Sequence, residues 1–73
     1  MAESTEGLKK LVAIATDLEL SVKLRANAIE QIGGVATHDA LLQLLDLAGN
    51  ESLSVDERQL ALKYAGRIIK KVH

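Results

Sequence analysis

Apolar residues recur at the 3.6-residue period of an α-helix in four separate stretches of the chain. Leu8, Leu11, Val12 and Ala15 form the first stripe, and Val22, Ala28, Ile29 and Ile32 the second, with Arg25 among them. Leu41, Leu44, Leu45 and Ala48 form the third; Val55, Ala61, Leu62, Ala65, Ile68, Ile69 and Val72 form the fourth. No stretch alternates with period two, so the pattern predicts four helices and no strands.

The polar breaks between stripes carry their own signals. Ser21 and Thr37 stand where a side-chain oxygen can accept from the open amides of a helix start, and Ser54 followed three residues later by Glu57 is a capping box. Gly49-Asn50 suits a left-handed turn ending the third helix, before the polar pair Glu51-Ser52. Gly33 predicts a close helix contact and Gly34 a helix end nearby. Gly66 falls inside the fourth helix, where glycine costs about 1 kcal/mol relative to alanine and so asks for a packing reason.

The stripes repeat. At an offset of 33, Leu8 to Gly33 aligns with Leu41 to Gly66 with nine identities in 26 pairs, at Leu8/Leu41, Leu11/Leu44, Ala15/Ala48, Leu20/Leu53, Ser21/Ser54, Val22/Val55, Arg25/Arg58, Ala28/Ala61 and Gly33/Gly66. About two would arise by chance in so leucine- and alanine-rich a chain. The identities fall on stripes and helix starts, where two copies of one helical hairpin must agree.

The stretch from Leu24 to Ala36 resembles the second-helix pattern of HEAT and HEAT-like repeats, through Leu24, Arg25, Ala28, Ile29, Ile32 and Gly33. The second copy is similar at Arg58, Ala61, Leu62, Ala65, Gly66 and Ile68 and departs at Glu57, where the family favours an apolar residue. The resemblance implies an all-α fold of two stacked HEAT-like helical hairpins, a short α-α solenoid, in one domain spanning 1–73, with repeats at 8–35 and 37–72. It also implies recognition of another protein on the second-helix face, and a ladder pairing a loop acid with the second-helix arginine. Asp17 holds that loop position in copy one; Asn50 holds it in copy two, leaving the ladder incomplete.

Differences between the copies suggest self-capping. Asn27 and Gln31 become Leu60 and Tyr64, while Ala26 on the opposite flank becomes Gln59. That is the change expected if Leu60 and Tyr64 lie between the repeats in a two-repeat monomer. The alternative leaves both exposed as an anchor for a partner or for a weak homodimer. Leu24/Glu57, Lys9/Leu42 and Ala13/Asp46 do not follow the self-capping scheme.

Composition narrows the chemistry. The net charge is −1 with acids and bases interspersed, which argues against a nucleic-acid footprint. The absence of cysteine excludes disulfides and thiolate metal sites and suits a reducing compartment. The longest apolar run, Leu11 to Ala15, is too short for a membrane span, so a cytoplasmic protein is expected. His38 and His73 stand at a helix start and the chain end, and adjacent His38-Asp39 point about 100° apart on a helix, so neither makes an oriented base. No catalytic, cofactor-binding or metal-binding residue emerges.

Arg25 and Arg58 lie on or beside apolar stripes, which suggests arginines that cap loop carbonyls or pair with Asp17. Arg67, Lys70 and Lys71 complement the negative pole of the last helix, as Glu3 and Glu6 complement the positive pole of the first. With Lys63 they could also attract an acidic partner. The expected function is non-enzymatic binding of a protein or peptide by the second-helix face, through Lys23, Asn27, Glu30 and Gln31 of copy one and Asp56, Lys63, Tyr64 and Arg67 of copy two. The alternative is an accessory subunit of an enzyme, since HEAT-like repeats also occur in bilin lyases.

Overall fold

The computed structural model describes residues 2–71, with side chains from Glu6 onward. Val72, His73 and the Glu3 side chain, all named above, lie outside the described residues. Four helices follow one another: α1 Ala2–Thr16, α2 Val22–Val35, α3 His38–Ala48 and α4 Val55–Lys71. The described residues form no strand, and the fold is all-α.

Local chemistry accounts for the helix starts. Ser21 Oγ accepts from the Leu24 amide at 3.2 Å, and Thr37 Oγ1 from the Ala40 amide at 3.1 Å. At α4 the capping box closes both ways: Ser54 Oγ accepts from the Glu57 amide at 3.2 Å, while Glu57 Oε1 accepts from the Ser54 amide at 3.1 Å.

The α1–α2 and α3–α4 loops are copies of one another. Asp17 O accepts from the Leu20 amide at 3.0 Å, and Asn50 O from the Leu53 amide at 3.1 Å. Asp17 Oδ1 accepts from the Glu19 amide at 3.0 Å, and Asn50 Oδ1 from the Ser52 amide at 2.9 Å. This self-bonded turn needs one side-chain oxygen and no charge, so aspartate in one copy and asparagine in the other do the same work.

Helix ends are where the expected turn chemistry fails. Gly49 is right-handed, at φ −91° and ψ 0°, and α3 finishes by tightening, with the Gly49 amide donating to Leu45 O and Asp46 O and the Asn50 amide to Leu47 O. The left-handed residue is instead Ala36, at φ 56° and ψ 32°. Gly33 and Gly34 are both helical, and α2 runs on to Val35, so the conformation glycine would adopt freely falls to alanine.

Helices α1 and α2 form one hairpin and α3 and α4 the other. Helix α2 touches every other helix, whereas α1 and α4 do not meet among the described residues. Helices α2 and α4 run side by side in the same direction, since Arg25 meets Glu57 at one end and Gly33 meets Tyr64 further along. The core comprises Leu8, Ala15, Ala28, Ile29, Ile32, Ala40, Leu44, Leu47, Leu53, Ala61, Ala65 and Ile68.

On α3 the buried stripe is Ala40, Leu44 and Leu47, shifted from the expected Leu41, Leu44, Leu45 and Ala48. Leucine at 41, 42, 44, 45 and 47 satisfies more than one phase of the helical period, and packing against α4 selects among them. On α4 the expected stripe divides. Ala61, Ala65 and Ile68 are buried, while Val55, Leu62 and Ile69 are exposed.

Candidate functional site

Two side chains hold the hairpins together. Arg25 is 8% exposed and Glu57 2%. Arg25 donates through Nε to Glu57 Oε2 at 2.7 Å and through Nη2 to Glu57 Oε1 at 3.3 Å, a two-point pairing of fork and carboxylate. Arg25 Nη1 donates to Leu20 O at 2.6 Å and Asp17 O at 3.5 Å, so the guanidinium also caps the first loop. Its partner is therefore the Asp17 carbonyl and not the Asp17 carboxylate. Glu57 stands where copy one has Leu24, and that difference supplies the counter-charge for Arg25. Hydrogen bonding to Arg25 holds the Glu57 carboxyl below its ordinary pKa against the opposing effect of burial, and the reciprocal bond to Glu57 raises that of Arg25.

Beside this pair lies the second-helix surface. A Cβ built on Gly33 would sit 2.7 to 2.9 Å from Tyr64 Cδ1, Cγ and Cβ, so Tyr64 rests on the α2 backbone where only glycine admits it. The Tyr64 hydroxyl donates to Glu30 Oε2 at 3.3 Å, the Arg67 guanidinium carbon stands 5.1 Å from the ring centroid, and Lys63 Nζ stands 6.0 Å from it. Both Tyr64 and Leu60 are half-buried against the core. Self-capping and partner binding are thus compatible: one face of the tyrosine belongs to the inter-hairpin contact, and its edge remains open.

That edge borders a groove of about 310 Å³ between α2 and α4, lined by Glu30, Gly33, Gly34, Ala36, Tyr64, Arg67, Ile68 and Lys71. Of the residues expected to bind a partner, Glu30, Tyr64 and Arg67 come together here, while Lys63 approaches the Tyr64 ring from outside the groove lining. Lys23, Asn27, Gln31 and Asp56 are exposed and stand outside the groove lining. Gly33, Gly34, Ala36, Ile68 and Lys71 line the groove without having been in the expected set. The available signal was the glycine pair Gly33-Gly34, whose missing side chains open space between the helices.

Gly66, the counterpart of Gly33, meets no atom within 4 Å of a built Cβ, so the packing reason expected for it is absent within the described residues. Arg58, the counterpart of Arg25, donates through Nε to Ala48 O at 2.9 Å and caps the end of α3. His38 is exposed, and no cluster of three metal-ligating side chains occurs among the described residues. No described helix is long and apolar enough to cross a membrane. Compared with known proteins, the chain matches no family model, no curated protein and no solved structure.

Proposed function

We propose that this chain is a non-enzymatic, cytoplasmic protein-binding module of two HEAT-like repeats, and that it takes an extended peptide segment bearing an acidic side chain into the groove between α2 and α4. The observation that carries the reading is the fixed Tyr64 ring, seated on Gly33 and flanked by Arg67 and Lys63, with Lys71 on the same groove. Tyrosine offers apolar area and a polar tip at low entropic cost. Two cations in the groove lining, Arg67 and Lys71, against one acid, Glu30, with Lys63 beside the ring, favour an anionic side chain. The ring is already ordered before a partner arrives, which lowers the cost of binding.

The test is selection of binders from a displayed random-peptide library, followed by affinity measurement for wild type and for Arg67→Glu with Lys71→Glu. Selected peptides should be enriched in Asp and Glu, weaken with added salt, and lose at least about tenfold affinity for the double variant. Peptides that bind both proteins equally would remove this groove as the site.

A further inference from the structure

The repeat supplies a template for reading the outer side of α4. In copy one, Arg25 of α2 meets Glu57 of α4 and Gly33 lies beneath Tyr64, and Ile29, between them along α2, is 0% exposed. Moving 33 residues along, Arg58, Leu62 and Gly66 are the same positions of copy two. There Leu62 is 57% exposed, and Ala48, Val55, Arg58, Gln59 and Leu62 line an open groove of about 210 Å³. Val55, Leu62 and Ile69, all exposed, continue this face at seven-residue intervals, a seam spacing that suits another helix. At 100° per residue the face points away from Tyr64 and Arg67, so it is separate from the groove proposed above.

We infer that the outer face of α4 is a second docking surface, for a partner helix that runs parallel to α4 and carries an acidic residue followed seven positions later by an aromatic one. Charge complementarity and continuity with the α2–α4 contact define this occupant. Arg25 is completed by Glu57, whereas the Arg58 Nη groups make no hydrogen bond or ion pair among the described residues. Gly33 is covered by Tyr64, seven residues after Glu57, whereas Gly66 faces open space. A second copy of the chain is a poorer occupant: its free flank presents Leu24 and Gln31 where Glu57 and Tyr64 stand, and it would leave Arg58 without an acid.

The probe is a capped synthetic peptide of residues 54–71, which carries both Glu57 and Tyr64. It is titrated into the isotopically labelled full chain and followed by amide chemical shifts. Saturable shifts at Val55, Arg58, Leu62 and Gly66 are expected, with Glu57→Gln in the peptide weakening binding about tenfold. Gly66→Ala in the protein should weaken it at least as much by filling the seat of the ring, while its unperturbed spectrum shows the fold intact. No shifts at millimolar peptide, shifts confined to Tyr64 and Arg67, or binding indifferent to both substitutions would each overturn the inference. So would shifts of the same face on concentrating the protein alone, which would make a second copy the occupant. The charge reversal at Arg67 and Lys71 should leave this binding unchanged, so either proposal can fail without the other.

Discussion

Exchanging Glu57 for glutamine keeps the side chain's shape and removes its charge. Its two oxygens accept from Arg25 Nε and Nη2 and from the Ser54 amide and hydroxyl. Glutamine offers one acceptor oxygen to those four donors, and its amide nitrogen must face donors on one side. With the oxygen kept on Ser54, the guanidinium stays inside without a counter-charge. Hydrogen bonds to charged groups contribute about 1.5–3 kcal/mol, and breaking a buried ion pair costs about 3–5 kcal/mol. The variant should lie near the lower end, about 3 kcal/mol, because Arg25 keeps the Leu20 carbonyl. A domain of this length carries roughly 4–11 kcal/mol in all. The loss should lower the thermal midpoint by about 12–24 °C.

Urea denaturation followed by far-ultraviolet circular dichroism measures the difference, and its pH dependence tests the cause. Glu57 has a folded-state pKa below its ordinary value of 4.5, so its stabilisation is fully present above that value and is lost as pH falls through the lowered one. Glutamine does not titrate. The gap between wild type and variant should therefore narrow in acid and close once Glu57 is protonated in the folded state. A gap under about 1 kcal/mol at neutral pH, or one that persists unchanged in acid, would refute the assignment of Arg25–Glu57 as the polar clamp between hairpins.

Two further substitutions test the packing. Alanine at Gly33 forces Tyr64 aside and should cost about 1–3 kcal/mol, whereas alanine at Gly66 meets nothing and should stabilise by about 1 kcal/mol; thermal melts of the two single variants would contradict the packing if they moved the same way. Ala36→Gly relieves a left-handed alanine and should raise stability by about 1 kcal/mol, so a lower urea midpoint would show that Ala36 does not hold that conformation in solution.

What the sequence disclosed was mostly local or periodic. The caps at Ser21, Thr37 and Ser54 were legible because donor and acceptor lie three residues apart, and Gly33 announced a close approach because glycine inside a helix otherwise weakens it. The burial of Glu57 was not legible, since an acid that caps a helix reads as solvated and its arginine lies 32 residues away. Ala36 gave no sign of a left-handed backbone, because alanine carries no turn signal and Gly34, two residues earlier, marks a helix end. The phase of α3 was hidden by too many leucines. For the groove, Tyr64, Glu30 and Arg67 could be named, but their meeting depended on the relative placement of α2 and α4.

The Arg25–Glu57 contact also makes the order of the two hairpins matter. Two identical copies of a segment can be exchanged without effect. With leucine at 24 and glutamate at 57, the halves are not interchangeable. If the two hairpins exchanged places within the same stack, Leu24 would stand opposite Arg58 and Glu57 would lie on the outer flank. The order of the two segments is thus written into the fold by a single carboxylate.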